Sequence, residues 1–439
     1  MTRPAGGGMS VLDPGRQPSP LAVAVSAEVA VELRVRPGTP EHDQLLLRNL
    51  ARTTAWQRRQ LGRVLADPRH LNRCDRRLYS QAGEDGVLAE LVRRAGDTGR
   101  TFVEIGSGDG SENCTRTLLE AGWRGCWMEA DPQYAASADA VAGGRAVVLN
   151  ALVCRENVRS LLDGAGVPAE PDVLSIDIDG NDYWVWAEIG RSRRPRIVVI
   201  EYNARFPPPI SWVLPYRPDW IWDGSFRQGA TLSALCELGG RLGYRLVACS
   251  SFGANAFFVR DDVARAAGGL PAVRPENAFW PAAWNPGHFG HPAAVDCRAG
   301  ELTAFEFDQV LVTAGTLHAD LPLRPGQPVP FSMTVDNWSV RSIGSCSSDR
   351  YSGTFAVCEW LPSRRSGPGD WFRWGGQIQG VIGPGERRLL VGGCRAPEEP
   401  GEYVARLALA QETSGPAPNG AACCDLAVTV EPWPAPVAG

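Results

Sequence analysis

The chain has 439 residues, enough for two or more domains, with 44% hydrophobic and 21% charged residues, as in ordinary globular protein. A formal net charge of −5 argues against a nucleic-acid or membrane-surface partner for the chain as a whole. No apolar run is long enough to span a bilayer and the opening MTRPAGGGMSVLDPGRQPSP lacks the apolar core of a secretory signal, so a cytoplasmic setting with mostly reduced cysteines is expected.

Residues 1–40, rich in glycine, proline and small side chains, read as a poorly ordered leader. Residues 41–74 read as a helical segment, with Leu46, Leu50, Leu61 and Leu65 near helical spacing. LYSQAGEDGVLAELVRRAG, 78–96, ends in an amphipathic helix through Val87, Leu88, Leu91 and Val92 that would cover a ligand from above.

Thr101 to Gly110, TFVEIGSGDG, organises the rest. An apolar run carrying Glu104 breaks into Gly106, Gly108 and Gly110, which predicts a buried strand, a tight turn and a helix through Glu112 to Ala121. The first amides of that helix would favour polar or anionic ligand groups, and the glycines let a ligand approach the backbone closely. The dinucleotide pattern G-x-G-x-x-G fails here, because Ser111 stands where its third glycine belongs. The second strand, GCWMEAD, ends in Glu129, 19 residues beyond Gly110 and near the offset of about 20 expected for an acid on ribose hydroxyls. That acid suits either kind of nucleotide.

Arg145 to Val153 reads as a third strand, with Asn150 near its end either against an adenine amino group or simply closing the strand. The fourth, DVLSIDIDGNDYW, brings Asp177, Asp179 and Asp182 together behind a buried strand, an arrangement that needs a cation, a proton or hydrogen-bond donors. The fifth, RIVVIE, ends in Glu201 and leads to Asn203. All these residues sit at carboxyl ends of strands, where open parallel sheets bind ligands. An insertion at 208–228 carries Trp212, Tyr216, Trp220 and Trp222, either a substrate lid or packing beneath a long loop. A helix from Leu232 to Arg241 then leads to two strands joined by a turn at Ser250 to Ala254.

Residues 266–300 read as a linker dense in proline and aromatics, where His288 and His291 have no visible third ligand. From 301 to 432 the apolar period becomes two, as in Val329, Phe331, Met333 and Val335, and Pro-Gly turns punctuate seven or eight short strands. This predicts a β-sandwich of roughly immunoglobulin type. Its Trp338, Trp360, Trp371 and Trp374 are either core or sugar-stacking groups, with core as the default.

Taken together, the first glycine turn, the Glu129 strand, SQAGEDGVL, DVLSIDIDGNDYWVW, RIVVIEYNARFPP and GANAFFVRDD resemble the FkbM-like methyltransferases that use S-adenosylmethionine (SAM). The likeness covers residues 75–265. It implies a Rossmann-like α/β domain with a mainly parallel seven-stranded sheet, followed here by the all-β sandwich. It also implies O-methylation of a small-molecule, sugar or glycan hydroxyl. By the same resemblance Glu104, Gly106, Ser107, Gly108 and Gly110 line SAM, Glu129 binds its ribose, Asn150 lies beside adenine, and Asp177 sits near the sulfonium. The matched region has no histidine to serve as base. Asp179 and Glu201 are therefore the candidate catalytic groups, and Asp179, Glu201 and Asn203 a candidate all-oxygen site for Mg²⁺. The rival readings are a nicotinamide oxidoreductase and a non-catalytic binding protein whose working part is the sandwich.

Overall fold

The structure is a computed structural model that describes residues 39–222, 228–268, 270–283, 310–337, 343, 354–363, 370–371, 382–383, 385–411, 415–416 and 423–434. The leader up to residue 38, His288, His291, Trp338, Trp374 and the side chain of Trp371 lie outside the described residues.

Seven strands form the first sheet: β1 (Thr101–Ile105), β2 (Arg124–Glu129), β3 (Ala146–Asn150), β4 (Val173–Ile176), β5 (Ile197–Glu201), β6 (Tyr244–Cys249) and β7 (Asn255–Arg260). Their order is β3-β2-β1-β4-β5-β7-β6, with β7 antiparallel to both neighbours and the other pairs parallel. β4 and β5 are buried along their whole length, as parallel strands covered on both faces must be. The two faces carry separate cores. Val103, Ile105, Leu174, Ile176, Val198 and Ile200 point to one, against Trp186 and Leu235 of the helices Asp182–Ile189 and Leu232–Leu242. Phe102, Trp127, Val173, Ile197 and Val199 point to the other, against Leu88 and Leu91 of the helix Glu84–Ala95.

The crossover from β1 to β2 departs from expectation. Its helix is only Arg116–Glu120, and turns occupy the stretch before it. The cause is Glu104, which takes the Cys114 and Thr115 amides as hydrogen-bond donors and so holds the chain out of helix until Arg116.

The remaining strands are β8 (Val310–Leu317), β9 (Pro328–Asn337), β10 (Thr354–Pro362), β11 (Asp370–Trp371), β12 (Arg387–Arg395), β13 (Gly401–Gln411), β14 (Gly415–Pro416) and β15 (Cys423–Val430). One sheet is β12-β9-β8. The other is β11-β10-β13-β14 with β15 also paired to β13, and every pair is antiparallel. Val329, Phe331, Met333 and Val335 from the first sheet meet Cys358, Leu407, Leu409 and Val428 from the second in one core, so this is a β-sandwich. Trp360 lies in that core and is 4% exposed, which leaves its ring unavailable to a sugar.

The sandwich is joined intimately to the α/β part. Ala82, Phe252, Ala254 and Ala283 belong to the sandwich core, and Leu46 and Leu50 of the helix Pro40–Ala66 pack against Val391 of β12. Within the stretch expected to be linker, Phe279 and Trp280 are buried in the α/β core. Among the described residues no helix is long and apolar enough to cross a membrane.

Two glycines test this packing with opposite signs. A Cβ on Gly393 of β12 would stand 1.6 Å from the Ala283 carbonyl oxygen, whereas one on the exposed Gly240 meets nothing within 4 Å. Gly393→Ala is expected to cost about 1–3 kcal/mol through overpacking. Gly240→Ala is expected to gain about 0.5–1 kcal/mol as a helix-interior replacement. Urea unfolding midpoints of the full chain measure both.

Candidate active site

The carboxyl ends of β1, β2, β4 and β5 meet at one edge of the sheet, and Glu104, Glu129, Asp177, Asp179, Asp182 and Glu201 lie at or just beyond them. β4 shows what is unusual about that edge. At its amino end Asp172 is buried, which would raise its pKa, but the amides of Thr101, Gly99 and Thr98 donate to it and hold it below the ordinary carboxylate range. At the carboxyl end Asp177 is pushed well above that range by burial and by the charges of Asp179, Asp182, Glu84 and Glu104. One end of the strand is supplied with donors and the other is not.

The glycine turn explains part of the shortage. Gly106 and Ser107 donate their amides to the Met128 carbonyl at 2.9 and 3.2 Å, and Gly108 donates to Glu129 Oε2 at 2.9 Å. Gly110 donates to the Ser107 carbonyl and Ser111 to Asp109. Gly106, at φ +86°, passes so close to β4 that a Cβ would lie 1.7 Å from the Asp177 carbonyl oxygen. The turn is thus tied to β2 by its own amides, and the crevice wall it presents carries the unpartnered, buried Ser107 Oγ.

Several acids are satisfied and shape loops. Glu104 accepts from Cys114 N, Thr115 N, Thr115 Oγ1 and Asn113 Nδ2, and burial still pushes it up to about 7. It organises the wall of the crevice, with both oxygens already engaged. Asp182 accepts the amides of Ile178 and Gly180 and fixes the turn after β4. Glu129 accepts from Gly108 N and Asp131 N, while Asn150 Nδ2 donates to the carbonyls of Glu129 and Ala130, drawing the ends of β2 and β3 together.

The remaining acids converge. One oxygen from each of Asp177, Asp179 and Glu201 lies within 4.8 Å of the others. Asp179 stands at φ +53°, a left-handed conformation uncommon for a residue with a Cβ, and its carboxyl is lifted to about 7 by burial and by Asp182. Among the described residues Glu201 Oε2 is buried without a hydrogen-bond partner. Of the expected oxygen set, Asn203 is engaged by its neighbours, donating Nδ2 to the Gln228 carbonyl and accepting Arg205 N on Oδ1, and Asp177 joins Asp179 and Glu201. Three carboxylates with one orphaned oxygen suit a hard divalent cation by donor chemistry.

Sequence reasoning missed Gln228. Its Nε2 donates to Glu201 Oε1 at 2.6 Å and to Asp179 Oδ1 at 3.3 Å. The insertion returns it to the site: Val213 bridges to Ala230, and Leu214 N donates to the Gly229 carbonyl. Trp220 comes with it. Its Nε1 donates to the Asp179 carbonyl, and a Cβ on Gly180 would lie 2.2 Å from its ring. Tyr216 instead bonds Glu156 and accepts from Arg155 N, and the Trp212 ring packs 6.1 Å from Phe206. Of these three aromatics, Trp220 is the one that contacts the turn carrying Asp179.

No protein-family profile and no curated protein matches this sequence. Solved structures do match, each over part of the chain. A TehB-like SAM-dependent methyltransferase from Corynebacterium glutamicum is 15% identical over 39% of this chain and 86% of its own, with a TM-score of 0.25. An O-methyltransferase from Bacillus cereus in complex with S-adenosylhomocysteine (SAH) is 16% identical over 41% and 76%, with a TM-score of 0.22. A SAM-dependent methyltransferase from Geobacter sulfurreducens, also with SAH, is 18% identical over 40% and 70%, with a TM-score of 0.25. Likeness at this level adds no chemistry. The sheet order itself defines a Rossmann-like fold of the methyltransferase type, with an all-β domain after it.

The pH dependence of Asp179 follows from its environment. A carboxyl raised from 3.8 to about 7 on folding contributes stability that is complete below 3.8 and is lost as pH rises through about 7. Asp179→Asn removes that loss. The variant is expected to gain on wild type progressively between about pH 4 and 7 and to hold a constant advantage above, as read from urea midpoints across that window.

Proposed function

We propose that this chain is a SAM-dependent methyltransferase acting on a hydroxyl of a sugar, glycan or other small molecule. The observation that carries the proposal is the electrostatic character of the glycine turn. A dinucleotide places its pyrophosphate on free turn amides, yet here the amides of Gly106, Ser107, Gly108, Gly110 and Ser111 all have protein acceptors. Beyond them stand carboxylates rather than arginines. SAM carries a sulfonium and an ammonium group, which such a crevice attracts, and two ribose hydroxyls that can donate to Glu129.

On this reading Gly108 leaves room for the nucleoside while Gly110 lets the turn pack against Ala138 and Val141, Glu129 holds the ribose, and Asn150 keeps the floor beneath the adenine in place. Asp177 faces the sulfonium end. Asp179 and Glu201 receive the acceptor, oriented by Gln228 and covered by Trp220. In-line approach of a hydroxyl oxygen to the donor methyl requires the hydroxyl proton to leave. Asp179, poised near 7, has the basicity to take it at neutral pH. Asp177, Asp179 and Glu201 are also the residues that would hold Mg²⁺, which when bound would lower the pKa of the acceptor hydroxyl.

Calorimetric titration with SAM, SAH and NAD, with and without Mg²⁺, tests the reading. SAH is expected to bind wild type and to be lost in Gly108→Val, because valine at φ +56° is strongly disfavoured. Glu129→Ala is expected to weaken SAH by about tenfold, the loss of a charge-assisted hydrogen bond. Binding of NAD instead would overturn the proposal. Asp179→Asn and Glu201→Gln are expected to bind SAH within about threefold of wild type. Both should lose methyl transfer to any acceptor that a hydroxyl-compound screen identifies.

A further inference from the structure

One charged group of the sandwich does not face solvent. Arg395, the last residue of β12, is 7% exposed and enters the α/β part. Its Nη2 donates to Asp75 Oδ1 at 2.9 Å, and its Nη1 donates to the Ala82 carbonyl at 2.8 Å and to Ser251 Oγ at 3.4 Å. Asp75 Oδ2 in turn accepts Ser251 N at 3.0 Å. One guanidinium therefore ties the 75–86 segment, at Asp75 and Ala82, to Ser251 after β6.

The backbone makes space for it. Gly83 adopts φ +90°, and a Cβ there would lie 2.2 Å from Asp75 Oδ1 and 2.7 Å from Arg395 Nη2. Gly326 adopts φ +68°, and a Cβ there would lie 2.9 Å from the same Nη2. Adhesion alone does not account for such an arrangement. A buried ion pair is often no more stabilising than apolar side chains of the same size, whereas its directional bonds fix relative position.

What is fixed lies beside the crevice. Ala82, held through its carbonyl by Arg395, donates its amide to Glu84 Oε2, and Glu84 Oε1 accepts from Asn255 Nδ2 at 3.1 Å. Asn255 is the β7 partner of Glu201 in the sheet register. Next to Glu84, Asp85 gathers the amides of Leu78, Tyr79 and Ser80 on one oxygen and leaves the other buried without a partner among the described residues.

We propose that Arg395 is a positioning residue for the cofactor crevice, and that the sandwich is part of the frame of the site rather than an independent glycan-binding module. Its guanidinium sets the 75–86 segment, which carries Glu84 and Asp85 to the wall beside Asn255 and Glu201. That the crevice binds SAM rests on the methyltransferase reading; the positioning itself does not.

The test uses the full chain as wild type, Arg395→Met and Arg395→Lys. SAH affinity is measured by calorimetry below the unfolding temperature, and amide hydrogen exchange is followed over residues 76–86, β9 and β13. Arg395→Met is expected to lose about tenfold or more in SAH affinity, the scale at which misplaced support degrades a site. Protection should fall in 76–86 and persist in β9 and β13. Lysine keeps the charge opposite Asp75 but cannot also reach Ala82 and Ser251, so an intermediate affinity is expected of Arg395→Lys. Wild-type affinity in either folded variant would overturn the proposal, and if Arg395→Met does not fold, Arg395→Lys decides. Should wild type itself fail to bind SAH, the methyltransferase reading falls and exchange alone decides. Protection lost in 76–86 of Arg395→Lys with the sandwich intact supports positioning, and unchanged protection there overturns it.

Discussion

A buried carboxylate without donors or a counter-charge costs several kcal/mol, which a protein avoids by protonation, by hydrogen bonds or by binding a cation. The α/β part of this chain applies the first two remedies to most of its acids and leaves three only partly served. Asp172, Glu104, Asp182 and Asp85 each draw backbone amides, and each amide drawn fixes a loop. Asp179 and Glu201 share Gln228 as a side-chain donor, and these two and Asp177 are all shifted upward by burial. The crevice is thereby primed for something positively charged.

The same division accounts for the shape around it. Glu104 is buried among the donors of the β1–β2 crossover and prevents a helix from forming at Cys114, so the crossover carries a long turn where a helix start was expected. Asp182 ties the turn after β4 tightly enough to place Asp179 at positive φ, aimed at Glu201 rather than at solvent. Acids that look equivalent in sequence thus do two different jobs: those that draw backbone amides shape the loops, and Asp177, Asp179 and Glu201 converge on one another.

Much of this was legible in the sequence. The glycine turn, the acids at strand ends and the change to period-two patterning after residue 301 are local signals, and the seven-stranded sheet and the sandwich both formed as expected. What escaped depends on side-chain direction and on contacts distant in sequence. Asn203 and Asp177 lie equally near strand ends, and only the bonds of Asn203 to Gln228 and Arg205 show that it is already engaged. Gln228 lies in a long insertion with no pattern to mark it. Arg395 is one arginine among many, and nothing local marks it as the one that crosses to Asp75, 320 positions earlier. Phe279 and Trp280 read as part of a proline-rich linker because proline density signals irregular backbone equally well in a buried segment and in a connection.

The helix Pro40–Ala66 has a consequence for how the protein is made. Its Leu46 and Leu50 find their cover on Val391, a residue synthesised late. At roughly 5–20 residues per second on the ribosome, the apolar stripe of this helix emerges tens of seconds before its partner strand exists. The nascent chain must therefore carry an uncovered hydrophobic surface through most of its own translation. A product that stops short of β12 lacks Val391 and keeps that surface uncovered.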